Sequence, residues 1–289
     1  MTFAMNVSTN NMIYPVLVIY KIRLQDSIAY KTLLQPNGID DFLIYDNSPA
    51  SFEQDLSQVP HGACYQRDYS NSGLPKAYNL GANIAVQKGY DHILLLDQDS
   101  KFSSETWNCY LRHLDFPGIV SPMFKTKEGL NFSPVYIGGM LPRAEKELHG
   151  GEYSLYRHAV INSGCCIPVK LFEKAGGYDP RVKLDFADFQ FQLHVRDIQP
   201  RLFVLDVVAE QDFSNDVVDV LALRRRFTLY LESALHFRSD SFKGKLKHHY
   251  AVFHHTLSLF YRTRHLSFLA DYLKFLLGGK RNDGEQECV

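Results

Sequence analysis

The sequence predicts an α/β protein: a mainly parallel central sheet flanked by helices, followed by a helical C-terminal extension. Three observations lead there. Short apolar runs of strand length alternate with helical stretches from Pro15 to about Asp97, the pattern of a layered α/β fold. The strands end in polar tails that carry an aromatic at Tyr20 and carboxylates at Asp46-Asn47 and Asp97-Gln98-Asp99. Beyond about Asp216 the chain becomes basic, aromatic and helical in period.

Pro15 to Tyr20 is an unbroken apolar run, as expected of a strand covered on both faces. A helix is predicted over Asp26–Leu34, stopped by Pro36-Asn37-Gly38. Phe42–Tyr45 reads as a second strand, closed by the turn residues Asp46-Asn47-Ser48-Pro49. Ala63–Arg67 is a third strand, Leu74–Lys88 a helix and His92–Leu96 a fourth strand. The middle is more irregular. It holds expected strands at Gly118–Pro122, Val135–Met140 and Leu202–Val207, and expected helices at Val169–Ala175 and Asp185–Val195. Domain boundaries follow: 1–215 for the α/β unit and 216–289 for the extension.

At 289 residues, 45% hydrophobic and 22% charged, the chain can bury a sizeable core. No apolar run approaches the roughly 20 residues that cross a bilayer. Met1 to Tyr14 is polar and Asn-rich, unlike a secretory signal. The five cysteines include no C-x-x-C pair and read as reduced thiols. A cytoplasmic protein is expected. The net charge of −1 hides a split: Arg224–Arg281 carries +9 and the remainder −10. That asymmetry suggests a polyanionic or membrane-surface partner for the basic part. Amphipathic helices on an anionic inner leaflet would explain it. So would a helical subdomain packed on the core or on a second subunit, with a solvated basic face.

Four stretches carry chemistry. Asp97-x-Asp99 follows an apolar strand, and residues two apart in an extended backbone point the same way. Two carboxylates can hold one hard divalent cation, completed by diphosphate oxygens and water. The alternative is a turn and helix cap before Ser103-Ser104-Glu105. Asn71-Ser72-Gly73-Leu74-Pro75-Lys76 opens a helix, and Lys76 can reach a phosphate there. Alone it would read as a capped helix start. Asp185 and Asp188, three apart, would share a helix face; beside aromatics a carboxylate gains proton affinity and suits a general base. Alone they would read as acids favourable to the helix dipole. Asn162-Ser163-Gly164 puts small polar groups ahead of an apolar strand, otherwise a plain turn.

In this order these pieces, with Asn79-x-Gly81 and Gly176-Gly177-Tyr178-Asp179, resemble the family 2 glycosyltransferases and their GT-A nucleotide-diphospho-sugar fold. The Leu96-Asp97-Gln98-Asp99-Ser100 wording and Asp185-x-x-Asp188 are most similar to the bacterial rhamnosyltransferase branch. The likeness runs from Pro15 to Phe213. It implies that Tyr20 and Asp46 meet the nucleobase and ribose, with Asn71 and Lys76 on the nucleotide-sugar side. It implies Asp97 at the ribose or metal, and Asp99 as the ligand of Mn²⁺ or Mg²⁺. Asp188 would deprotonate the acceptor hydroxyl, while Ser163, Gly164 and Asp185 line the acceptor or sugar side. The implied reaction is a single inverting displacement on a nucleoside-diphosphate sugar, rhamnose by motif. The implied acceptor is a saccharide or lipid-linked sugar in surface polysaccharide synthesis; no nucleic acid is involved.

Three positions depart from the family pattern. Gln190 stands where Glu or Asp is usual and His194 where Arg is common. Glu210-Gln211-Asp212-Phe213 lacks the His many members place near the metal or diphosphate. These leave room for a non-catalytic sugar-nucleotide-binding protein. A phosphohydrolase using Asp97-x-Asp99 ranks lower, because that chemistry follows the first strand of a sheet and here earlier strands intervene.

Overall fold

The computed structural model describes residues 12–211, 219–239 and 241–282. The predicted domain boundary at 215/216, the polar N-terminal stretch before Met12, Asp212-Phe213 and Cys288 lie outside them.

The central sheet is built around β1 (Ile13–Ile19), every residue of which is buried. β2 (Leu43–Asp46) and then β3 (Cys64–Arg67) lie on one side of it, and β4 (His92–Asp97) on the other, all parallel. Next in the chain come β5 (Val120–Lys125) and β6 (Asn131–Ser133). β7 (Val135–Tyr136), β8 (Arg143–Ala144) and β10 (His158–Ala159) form a separate small sheet. β9 (Gly151–Ser154), β11 (Cys166–Pro168) and β12 (Arg201–Glu210) return to the large one. Its order is β3-β2-β1-β4-β11-β5-β12-β9, with β6 paired to β5. β11 is antiparallel to both β4 and β5, and β5 is parallel to β12. β1 to β5 and β12 therefore run one way, and the mainly parallel sheet is as expected.

Alternate residues of the strands feed two cores. Val16, Val18, Leu43 and Tyr45 pack with α1 (Leu74–Lys88) on one face; Leu17, Ile19, Ile44 and Leu96 pack on the other, where α2 (Thr106–Leu111) supplies Cys109 and Tyr110. α1 lies tight on β1, because a Cβ at Gly81 would sit 2.2 Å from a Val16 methyl. α3 (Val169–Lys174) and α4 (Ala187–Arg196) join the α1 side. A third core joins α5 (Val220–His236), α6 (Phe242–Thr263) and α7 (Ser267–Asn282) through Phe227, Leu231, Val252, Leu259, Phe268 and Phe275. Phe186 packs against both this core and the first. Among the described residues no helix is long and apolar enough to cross a membrane. Cys64, Cys109, Cys165 and Cys166 are free thiols.

Three local expectations are corrected. The helix expected over Asp26–Leu34 is a 3₁₀ turn (Leu24–Asp26), then a wider π-helical turn (Tyr30–Leu34). The Ile28 and Ala29 N–H groups donate to the Gln98 carbonyl, so a tertiary acceptor replaces helical ones at its start. The strand expected over Val135–Met140 stops at Tyr136, after which the Ile137 N–H donates to the Arg157 carbonyl and Gly138-Gly139 follow. The helix expected from Asp185 begins at Ala187, because Phe186 takes a left-handed conformation (φ 69°).

Candidate functional site

The carboxyl ends of β1, β2 and β4 lie side by side, and their loops are stitched in a row. The Ser48 N–H donates to Asp46 Oδ1 (2.8 Å), and Ser48 Oγ accepts from the Lys21 N–H (2.7 Å). Gln98 then grips the Tyr20 backbone, accepting its N–H at 2.6 Å. Tyr20 is left 41% exposed at this rim. Asp46 is 0% exposed. Its other oxygen accepts from Tyr65 (2.6 Å) and Gln54 (3.2 Å), with the Arg67 guanidinium 3.7 Å away. Burial would raise its pKa, but hydrogen bonds from Ser48, Tyr65 and Gln54 outweigh that and lower it.

Asp68, just past β3, is a second hub. It accepts from Tyr45 (2.9 Å), from the Ser70 N–H (3.0 Å) and from the Ser72 hydroxyl. Lys76 Nζ lies 3.4 Å from it, still largely exposed. Asn71 is exposed, with φ 48°. Gly73 is required where it stands: φ is +94°, and a Cβ would meet the Lys183 carbonyl oxygen at 2.3 Å. That carbonyl accepts the Leu74 N–H (3.1 Å), so the start of α1 holds the segment leading to α4. Asn79, one turn on, clamps Tyr178 through both its N–H (2.9 Å) and carbonyl (2.8 Å).

At the end of β4 lies an acidic cluster. The Asp97 N–H donates to Ser163 Oγ (3.1 Å), which sits 2.6 Å from Ser100 Oγ. Ser100 donates to Gln211 Oε1 (3.1 Å), and Gln211 Nε2 donates to Asp99 Oδ1 (2.9 Å). The Tyr78 hydroxyl reaches Asp97 at 3.3 Å. Burial, then the Asp99 charge, pushes the Asp97 carboxyl up to about 6, against the hydrogen bonds from Tyr78 and Gln211. Two carboxylates crowded so would gain from a cation between them. Among the described residues no group of three or more His, Cys, Asp or Glu side chains could hold a metal ion, so a metal here would depend on Asp97, Asp99 and ligand oxygens.

Asp188 lies in the first turn of α4, where its Oδ1 accepts the Phe189 N–H (2.8 Å). Burial above all, then the charges of Asp185 and Asp97, pushes its carboxyl up to about 7. The fields of Asp97 and Asp188 reach each other and both reach Tyr178 and Cys165. Tyr178 links α1 to α4 beside them. Its ring stacks on Phe191 of α4 (4.3 Å, 11°) and meets Tyr78 of α1 at 5.1 Å, and its hydroxyl donates to Asn162 (2.7 Å). Asp97, Asp99 and Ser163 thus share one hydrogen-bonded network through Ser100 and Gln211, and Asp188 lies within reach of the Asp97 charge. Gly164 lets the turn before β11 close, with φ +77° and Pro122 2.9 Å from a would-be Cβ.

Asp185 is not on the same helical face as Asp188, because it precedes α4. Its Oδ1 accepts from Arg226 of α5 (3.1 Å), and its Oδ2 is buried without a partner. Asp46, Asn71 and Lys76 form a neighbouring group around Asp46 and Asp68. Sequence reasoning missed Tyr78, Ser100, Asp68 and Arg226. Tyr78 carried a signal: it is the large residue on the Ala77, Gly81, Ala82, Ala85 face of α1. Arg226 was hidden in the run Arg224-Arg225-Arg226.

The architecture and the acidic rim define the class: a GT-A glycosyltransferase fold. The crystal structure of GalNAc-T7 with UDP, GalNAc and Mn²⁺ matches with a TM-score of 0.54 at 12% identity, over 84% of this chain and 55% of that one. In sequence, the chain is similar to the dTDP-rhamnosyl transferase RfbF of Shigella flexneri, 25% identical over 190 residues, covering 64% of this chain and 63% of that protein. S. aureus TarS 1-349 in complex with UDP aligns with a TM-score of 0.49 at 13% identity, over 81% of this chain and 68% of that one. The chain spans less than two thirds of the length of RfbF or GalNAc-T7. No protein-family model matches it. The likeness to family 2 glycosyltransferases, and to their rhamnosyltransferase branch, is borne out by RfbF in sequence and by GalNAc-T7 in fold.

Proposed function

We propose that this protein transfers a sugar, rhamnose first among candidates, from a thymidine or uridine diphosphate donor to a saccharide or lipid-linked acceptor in polysaccharide synthesis. One observation carries the reading. Asp188, a carboxyl pushed by burial up to about 7, lies within the field of Asp97, whose own carboxyl is pushed up to about 6 by burial and the Asp99 charge. The RfbF relative, a dTDP-rhamnosyl transferase by name, favours the donor. Transfer takes place in the 1–215 unit, with 216–289 as its extension.

In this reading Asp188 accepts the acceptor hydroxyl's proton as that oxygen attacks the anomeric carbon. The diphosphate departs from the opposite face, so the configuration inverts, through a transition state with oxocarbenium character. A raised pKa suits the task, because a base near the working pH combines availability with driving force. Asp97 and Asp99 would hold a divalent cation, which supplies charge neutralisation for the departing diphosphate. Tyr20 offers its exposed ring to the base. Asp46, closed off by its own partners, acts on the nucleotide indirectly by shaping the Asn47–Gln54 loop. Lys76 and Asn71 border the diphosphate side. Ser163 and Gly164 fix the floor between Asp97 and Asp188.

The extension is proposed to rest on the anionic inner face of the membrane. Phe242 (84% exposed), Leu246, Tyr250, Phe253, Leu257 and Tyr261 (69%) recur at three- and four-residue steps along α6. Residues 241–270 contain Lys243, Lys245, Lys247, Arg262 and Arg264 but no Asp or Glu.

A panel of nucleotide sugars tests the function. A thymidine or uridine diphospho-sugar should raise the melting temperature in the presence of Mn²⁺, and purine nucleotide sugars should not. Equal stabilisation by all of them, or by none, would sink the reading.

A further inference from the structure

A cavity of about 480 Å³ lies between the small sheet, the outer face of α4 and the first turn of α6. No part of the mechanism above uses it. Its cationic lining consists of Arg157, Arg196, Lys243 and Lys247, and no Asp or Glu is among its described lining residues. Arg196 lies 4.9 Å over the Tyr156 ring, and also 3.4 Å from Asp197. Lys247 donates to the Ile137 and Gly138 carbonyls (3.0 and 3.3 Å). Burial and the nearby Lys243 charge depress its pKa. Like charges held this close at a part-enclosed site cost free energy that an anion would relieve. The α6 N-terminus, where Ser241 caps a 22-residue helix, adds its positive dipole end. Phe186, Phe189, Tyr136 and Tyr156 give the cavity aromatic faces, suited to the apolar faces of pyranose rings.

The cavity also has a direct link to Asp188. Phe189 lines it, while the Phe189 N–H is the hydrogen bond on the Asp188 carboxylate. A ligand filling the cavity therefore lies one residue along α4 from Asp188.

We propose that this cavity binds an anionic saccharide, a carboxylate- or phosphate-bearing sugar unit of the acceptor. Its charge is met by Arg157, Arg196, Lys243 and Lys247 and its rings by the aromatic walls. The inference rests on the transferase reading for the word acceptor, but its test does not need turnover.

Calorimetry on the full chain would compare cellobiose, cellobiouronic acid and glucose 1-phosphate. At least one charged ligand should bind about tenfold tighter than cellobiose. R157Q/R196Q should weaken that binding about tenfold, with thymidine diphosphate affinity held within about twofold. Should the double variant fold poorly, the wild-type protein gives the same reading. Raising salt from roughly 50 to roughly 500 mM should weaken the charged ligand and leave cellobiose unchanged. A preference for cellobiouronic acid assigns a uronic unit and one for glucose 1-phosphate a phosphorylated unit; either supports the proposal. Equal binding of charged and neutral ligands, no binding at all, or charged binding indifferent to both the variant and salt would overturn it. Loss of nucleotide binding alone would strike the transferase reading instead.

Discussion

At Asp188 the carboxyl has been moved by burial from its ordinary value of 3.8 to about 7. Two predictions follow from that one group. Asp188→Asn should lower the transfer rate by about 10² to 10⁴ while nucleotide affinity stays within about twofold, read by steady-state kinetics and calorimetry. In the wild type, kcat/KM should rise with pH through about 7 and level off above it. The same shift has a stability consequence of opposite sign. Between 3.8 and about 7 the folded chain holds a proton that the unfolded chain has released, so stability falls as pH rises through that window. Removing the acid should therefore raise the melting temperature at pH 8, by a few kcal/mol of stability at about 1.4 kcal/mol per pKa unit, and change it little at pH 4. At Gln211 the side-chain amide donates to Asp99. Gln211→His would exchange that neutral amide for an imidazole ligand, and should tighten Mn²⁺-dependent nucleotide binding several-fold by titration.

At the scale of elements, the site depends on how α1 holds the approach to α4. Gly73 admits the Lys183 carbonyl, Asn79 clamps Tyr178, and Tyr178 stacks on Phe191 while meeting Tyr78 at a tilt. Gly73→Ala should cost more than the roughly 1 kcal/mol of positive-φ strain alone, because a methyl cannot coexist with that carbonyl. Gly129→Ala is the control: φ is +81° but nothing lies within 4 Å of the added carbon. Denaturant titration of the two variants separates steric from conformational cost, and only Gly73→Ala should also weaken nucleotide binding. α1 itself was fully legible, Leu74–Lys88 in both sequence and structure, because Gly73, Pro75 and Gly89 punctuate a strongly patterned run. The stretch before Leu34 was not legible, since its N–H groups find the Gln98 carbonyl from 70 residues away in sequence.

At the scale of the whole molecule, the basic C-terminal part proves to have both an inner and an outer apolar side. Val252, Thr256 and Leu259 of α6 are buried against α5 and α7, while Leu246, Tyr250, Leu257 and Tyr261 stay exposed. The packed-subdomain explanation holds for the inner side of this helix, and its outer side stays exposed for the proposed membrane contact. The full chain should sediment with phosphatidylglycerol vesicles and not with phosphatidylcholine vesicles, and high salt should release it. Leu246→Glu should weaken the association, and vesicle binding of equal strength with both lipids would count against an electrostatic surface.

Motif resemblance put forward Asp97, Asp99 and Asp188 as site residues; by itself the sequence determined the layered α/β architecture and the strand ends that carry carboxylates. Those features follow from local periodicity and turn chemistry, which each segment encodes in itself. Only the tertiary structure decided what surrounds each carboxylate. It sealed Asp46 beneath Gln54, Tyr65 and Arg67, tied Asp185 to Arg226, and buried Asp188 near enough to Asp97 for their charges to interact. It alone assembled the cationic cavity from β7, β10, α4 and α6. Burial and charge proximity arise between segments far apart in the chain, and no local pattern carries them.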